Sequence, residues 1–194
     1  MIVLETERLI LREHRAGDFD AFFEMESDPE VRRFVGGAPR PYADARRRFG
    51  ERFLRRGRRR LGLWATVLRS NGAYAGYSGV YPYFRAPGRL SAGEACLGFT
   101  LARAFWGRGL ATESARALVR YGFEDLGLDR ILGSVEAGNA ASIHILERLG
   151  FRLWRLERVG ARCLYHLELL RPRVSAPRAQ TKRGSPPASP VRND

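Results

Sequence analysis

The sequence predicts an α+β domain, a three-layer sandwich. A mixed, mostly antiparallel central sheet of about seven strands carries helices on both faces. Two observations carry this. Alternating and helix-period apolar runs follow one another in the order β, α, α, β, β, β, α, β, α, β, β. The early strands are joined by turn signals, which suits antiparallel hairpins, while the two late helices sit between strands and can cover a sheet face.

Residues 7–13 open the chain as a strand. Asp18 stands where it can cap a helix over 19–26, with Phe19, Phe22 and Phe23 turned inward. Asp28-Pro29 reads as an N-cap followed by proline at the first helical position. Tyr42, Ala45, Phe49 and Phe53 form an apolar stripe opposite a run of arginines, and Gly57 ends that helix. Strands are expected at 61–68, 73–81 and 92–101, with Asn71-Gly72 as a hairpin turn between the first two. Residues 82–91, rich in aromatics and proline, read as a linker at a substrate entrance or as a plain surface loop. Then come helix 112–126, strand 130–136, helix 140–149 and strands at 151–157 and 162–170, with Gly160 in the last turn.

The most informative stretch is Arg103-Ala-Phe-Trp-Gly-Arg-Gly-Leu-Ala-Thr-Glu113. It joins a strand-like run to a helix-like run. A glycine-bearing turn there exposes backbone N–H groups without helical partners, at the positive end of a helix dipole, so it can hold a phosphate or pyrophosphate. Gly107 and Gly109 carry no Cβ to keep an anion away. Neither the P-loop spacing nor the dinucleotide Gly-x-Gly-x-x-Gly pattern occurs. The second segment is Asn139-Ala-Ala-Ser-Ile-His-Ile-Leu-Glu-Arg-Leu-Gly-Phe151. Asn139 sits at a helix N-cap, Ser142 shares its face one turn on, and Gly150 stops the helix.

Together these segments resemble the GNAT superfamily of N-acetyltransferases. The family's phosphate motif Gln/Arg-x-x-Gly-x-Gly/Ala aligns with Trp106-Gly-Arg-Gly109-Leu-Ala111, with Trp106 in place of Gln/Arg. That variant is similar to the branch acetylating ribosomal-protein N-termini. So are Asn139, Ser142, Glu147-Arg148-Leu149-Gly150-Phe151 and the opening Leu4-Glu-Thr-Glu-Arg-Leu-Ile-Leu-Arg12. The resemblance spans about residues 3–170.

The resemblance implies acetyl-CoA (coenzyme A) as co-substrate, no metal, and direct acetyl transfer to a primary amine. The strands at 92–101 and 130–136 should splay, with the pantetheine arm between them. The implied cofactor contacts are Phe99, Thr100 and Leu101, then Gly107, Arg108, Gly109, Leu110, Ala111 and Thr112, and finally Asn139 and Ser142. Ser142 matches a serine that steadies or protonates the departing thiolate. The family often has Glu just before the Leu97-Gly98-Phe99 step, and here that place is Cys96. Glu94, on the same strand face by period-two alternation, is the leading base, acting directly or through water, with Glu136 in reserve. A buried, inert Cys96 is expected. His14 reads as a loop residue, His144 as solvent-facing and His166 as an edge-strand residue, none with partners that would make a base.

Composition sets the outer bounds. The formal net charge is +13, and Lys182 is the only lysine among 34 basic residues. Residues 44–60 hold nine arginines against Asp44 and Glu51, and residues 171–194 add a second basic segment. The remaining body is nearly neutral, which speaks against a nucleic-acid groove across the fold and leaves weak contacts through Arg46–Arg60 or the tail. Residues 1–170 form the expected acetyltransferase domain. Residues 171–194 hold five of the ten prolines and few large apolar residues, so they read as a disordered basic tail. No apolar run is long enough for a membrane span, and the acidic N-terminus does not resemble a secretory signal. Cys96 and Cys163 lack metal-ligand spacing and fit a reducing cytoplasm. The expected partner is an amine, either a (ribosomal) protein N-terminus or a small molecule such as a polyamine, amino acid or antibiotic. A homodimer and a non-catalytic acyl-CoA-binding role remain as alternatives.

Overall fold

In a computed structural model, residues 1–54, 60–86 and 89–172 are described. Among them the strands are β1 (Ile2–Glu5), β2 (Leu9–Arg12), β3 (Gly62–Leu68), β4 (Tyr74–Ala86), β5 (Arg89–Leu101), β6 (Arg130–Glu136), β7 (Arg152–Val159) and β8 (Arg162–Leu170). The helices are α1 (Phe19–Ser27), α2 (Pro29–Arg32), α3 (Tyr42–Arg48), α4 (Leu110–Glu124) and α5 (Ala140–Arg148). One eight-stranded sheet runs β1-β2-β3-β4-β5-β6-β8-β7. Every neighbouring pair is antiparallel except β5 with β6. The α+β sandwich expected from the sequence is thus present, with one strand more than expected. The opening strand expected at 7–13 is β2, and the extra strand, β1, precedes it; between the two, the Thr6 side chain holds the Leu9 N–H at 3.0 Å.

Strand alternation divides the core in two. Leu9, Leu11, Val80, Leu97, Leu118 and Ile131 belong to the cluster under α4 and α5. Phe19, Phe22, Phe49, Phe53 and Tyr77 make an aromatic cluster under α1 and α3 on the other face. Ala45, Phe49 and Phe53 of the stripe read on the arginine helix belong to this cluster, while Tyr42 stays half exposed at its outer end. That helix is regular only to Arg48. It continues through Phe49–Phe53 as a wider helical turn, and Gly57, expected to end it, lies outside the described residues.

Two expectations need correction. Asp18 does not cap α1 with its side chain. Its carboxylate instead accepts two hydrogen bonds at 2.7 Å from the Arg12 guanidinium and a third from the Arg15 N–H. The segment 82–91 is not a linker. β4 and β5 continue as a hairpin through Phe84↔Leu90 to Ala86↔Arg89. Pro82 is tolerated because β3 stops pairing at Val80, so no neighbour on that side needs the missing N–H. The expected basic tail lies outside the described residues from 173 onward. No described helix is long and apolar enough to cross a membrane.

His14, expected in a loop, is buried among Phe49, Phe53 and Tyr74, and neither ring nitrogen has a hydrogen-bond partner. Burial pulls its pKa down from 6.5 to about 4; Arg12 adds to the shift and Asp18 opposes it. The unfolded chain therefore takes up this proton before the folded one does. Stability is full above pH 6.5 and falls as pH drops towards 4. Over the whole window the loss amounts to about 3 kcal/mol. Urea titrations of His14→Phe should show a flatter decline across this window than the parent protein, and equal slopes would contradict the assignment.

Candidate active site

The site is built where β5 and β6 part. Their parallel ladder holds only Glu94↔Arg130, Ala95↔Ile131 and Cys96↔Leu132. Beyond it β5 pairs only with β4, from Leu97↔Val80 to Leu101↔Gly76. β6 likewise pairs only with β8, from Gly133↔Leu167 to Glu136↔Leu164. The facing backbone edges of residues 97–101 and 133–136 are thus free of sheet partners and open onto a cleft.

Two chambers meet at this gap. The larger, of about 450 Å³, is lined by residues 99–101 of β5, by 107 and 109–112 of the following turn, and by Asn139 and Ser142. The smaller, of about 180 Å³, lies towards the aromatic face and is lined by Ser134, Glu136, Arg48, Arg52 and Tyr81. Phe99, Thr100, Asn139 and Ser142 line both. A third cavity of about 480 Å³ shares Arg52, Leu63 and Tyr81 with the smaller chamber and leads away from it.

Local chemistry shapes each wall. Gly107 and Gly109 adopt φ of 69° and 74°, values that L side chains rarely adopt. A Cβ on Gly107 would meet nothing within 4 Å, so the space over this turn is open. Gly109 is the N-cap of α4, and the helix ladder begins with Glu113 N–H to Gly109 C=O. The N–H groups of residues 110–112 therefore have no acceptor in their own helix. They point the positive end of a fifteen-residue helix into the larger chamber. Trp106 ties this turn to the sheet, because its indole N–H donates to the Leu101 carbonyl at 2.7 Å. Arg108 does not line the chamber; its guanidinium lies 5.7 Å from the Phe105 ring centroid.

On the opposite wall, Asn139 caps α5 by accepting the Ser142 N–H at 3.1 Å. Close packing of α5 on β6 sets this helix end, since a Cβ on Gly133 would lie 3.0 Å from Leu146. The Ser142 hydroxyl makes no hydrogen bond among the described residues and faces both chambers. These features fit a long anionic nucleotide thioester: open amides for a diphosphate, unpaired strand edges for an amide-bearing arm, and a hydroxyl near the gap. The described residues contain no cluster suited to a metal ion.

The structure does not bring Glu94 to this gap. It lies at the closed end of the β5–β6 ladder, buried, bonded to the Ser91 hydroxyl and paired with Arg130 at 3.0 Å. Glu136 does line the smaller chamber, and one of its oxygens accepts from both Arg162 nitrogens at 3.0 and 2.7 Å. Cys96 is partly buried; burial pushes its pKa up to about 11, against the hydrogen bond from Tyr81. It is a thiol rather than a thiolate at neutral pH.

Two groups escaped the sequence reading. His166, read as a partnerless edge residue, stands between Ser134 Oγ at 2.8 Å from Nδ1 and Glu157 Oε2 at 2.7 Å from Nε2. Glu113 clamps the turn of residues 107–109 from behind. Its carboxylate accepts from the Thr6 hydroxyl at 2.6 Å, the Arg8 N–H at 2.9 Å and Arg8 Nε at 2.6 Å. Arg8 also reaches the Arg108 carbonyl at 2.9 Å.

Residues 8–152 match the model of the GNAT acetyltransferase domain. The chain belongs to the GNAT acetyltransferase family. A relative described as the uncharacterized N-acetyltransferase p20 of Bacillus licheniformis is 31% identical over 156 residues, covering 78% of this chain and 83% of that one. A GNAT-family acetyltransferase structure from Bacillus anthracis superposes with a TM-score of 0.75 at 21% identity, covering 88% of this chain and 98% of that one. The structure of an acetyltransferase from Agrobacterium tumefaciens gives 0.67 at 29% identity, covering 84% and 92%. The fold is that of GNAT proteins, and the chain is an N-acetyltransferase of that family.

Glu113→Gln would put an N–H₂ against one of the donors from Thr6 or Arg8. Such a variant should lose about 1–3 kcal/mol of unfolding free energy in urea and bind coenzyme A more weakly in calorimetry. Unchanged stability would show that the clamp is idle.

Proposed function

We propose that this protein transfers the acetyl group of acetyl-CoA directly to a primary amine, the diphosphate resting on the turn of residues 107–112 and the acceptor entering through the smaller chamber. The observation that carries this reading is the pair of chambers meeting at Ser142, one with open helix-terminal amides and the other without. The co-substrate supplies an activated acyl group and a thiolate leaving group. The chain's part is to hold, orient and move protons. N–H groups on the unpaired β5 edge at residues 99–101 are suited to donate to the oxygen that gains charge during transfer. Asn139 is suited to hold the amide-bearing arm, and the Ser142 hydroxyl to donate to the departing sulfur.

The incoming amine must lose a proton. The proposed path is Ser134, His166 and Glu157 rather than Glu94. As Ser134 Oγ takes the proton from the amine, its own passes to His166 Nδ1, and Glu157 holds the opposite N–H of the ring. Glu136 remains the alternative acceptor on the same wall. The motifs around Trp106 and Asn139 favour a protein N-terminus, in the manner of ribosomal-protein acetyltransferases, and a small-molecule amine is the second reading. Free thiols at Cys96 and Cys163 fit a reducing compartment, so the reading puts the reaction in the cytoplasm.

Acetyl-CoA incubated with a panel of peptides and small amines should release thiol and yield a mass-shifted product. Binding of coenzyme A with no transfer to any amine would replace this reading with that of an acyl-CoA-binding protein. Gly109→Glu places a carboxylate where the diphosphate would lie and strains a φ of 74°. It should weaken coenzyme A at least 100-fold in calorimetry, about 2.7 kcal/mol, and parental affinity would refute the turn's role. His166→Gln should lower kcat/KM about 100-fold and remove the acid limb of the pH–rate profile, with coenzyme A affinity intact. An unchanged profile would rule out the histidine path.

A further inference from the structure

The smaller chamber carries two cations without a counter-ion among the described residues. Arg48 ends α3, and Arg52 follows it four residues on, so both side chains lie on one face and both line the chamber. Neither makes a hydrogen bond or ion pair among the described residues. The other arginines around the gap are committed: Arg40 to Glu26 at 2.6 Å, Arg47 to Asp44 at 2.8 Å and Arg162 to Glu136 at 2.7 Å. Arg48 is the costly case. Its Nε is buried with no partner, and its guanidinium lies 5.9 Å from the Phe53 ring centroid. Burial lowers its pKa; Tyr77 opposes that, Arg52 and Arg40 add to it, and Glu26 opposes it. A half-buried cation with one enclosed, open donor is unfavourable unless an anion meets it.

We propose that Arg48 and Arg52 form an oxyanion subsite in the acceptor chamber, so that the amine acetylated here carries a carboxylate or phosphoryl group a few bonds away. This rests on the acetyl-transfer reading for which chamber receives the acceptor. The chamber's size supports the short separation, since about 180 Å³ admits the head of an acceptor and not a folded chain. The rest of a longer acceptor has the adjoining cavity of about 480 Å³. Glu136 on the facing wall suits the ammonium end, because only one of its oxygens is engaged by Arg162. Amine and anion are thereby held at opposite walls, which orients the amine towards the gap.

The test is direct binding, independent of turnover. The full chain, with and without coenzyme A, is titrated calorimetrically with L-amino acids, each against its carboxamide and its aminophosphonate analogue. Peptides beginning Ala-Asp are compared with their Ala-Asn counterparts. The anionic member of a set should bind on the order of tenfold tighter or more, and the set that responds identifies a carboxylate, a phosphoryl group or an acidic peptide as the source. In the double variant Arg48→Gln, Arg52→Gln the ratio should fall towards one while coenzyme A affinity is retained. Equal affinity within every set, or a ratio that survives in the double variant, overturns the subsite. Absence of acetyl transfer would count against the enzymatic reading alone, because the affinity ratio is measured without it.

Discussion

Strands β5 and β6 agree on three residue pairs and then separate, each keeping its other neighbour. The site depends on that departure. Had the parallel ladder continued, the backbone groups of residues 97–101 and 133–136 would have satisfied one another, and no cleft would cross the sheet. By stopping at Cys96↔Leu132 the fold leaves polar backbone at a depth where unpaired groups are costly, which makes that edge a ready receptor for an amide-bearing ligand. The same separation lets the N-terminal ends of α4 and α5 approach from two sides. One brings open amides, and the other brings a capped turn with an uncommitted hydroxyl.

The opposite face of the sheet is organised by charge within an aromatic layer. Glu26 is fully buried, yet it accepts from Arg32 at 3.0 Å, Arg40 at 2.6 Å and the Tyr77 hydroxyl at 3.2 Å. These bonds draw the segment between α1 and α3 onto β4, so that Phe34 and Val35 wall both chambers. A buried carboxylate that satisfies several donors is tolerable, whereas removing it would strand two cations. Arg48 lies beside this network without joining it, and that contrast is why its exposure to the smaller chamber carries meaning.

Legibility in the sequence followed the range of the interaction. The turn at Trp106–Ala111, the Asn71-Gly72 hairpin and the Asn139 cap are local, and the residues that make them are contiguous. Strand 130–136 emerged with its expected ends because its flanking breakers are strong. Features that depend on pairing were harder. Alternation placed Glu94 on a strand face but could not tell which end of β5 stays closed. His166 acquired one partner, Ser134, from β6, 32 residues back, and the other, Glu157, from across the β7–β8 hairpin. The hairpin at 82–91 was hidden by Pro82, whose tolerance depends on where β3 ends. Asp18 had a suitable helix start beside it and was claimed instead by Arg12, a stronger charged partner.

The hold of Thr6 and Arg8 on Glu113 has a kinetic side. The contact between Arg8 and Glu113 closes a loop of 105 residues. Such a closure comes late for a growing chain, after the intervening hairpins have condensed. The glycine turn before α4 is therefore unsupported in any partly folded species that lacks the first two strands. A ligand seated there would recognise the completed fold rather than a fragment of it. Its presence would then slow global opening of the molecule and leave local fraying elsewhere untouched.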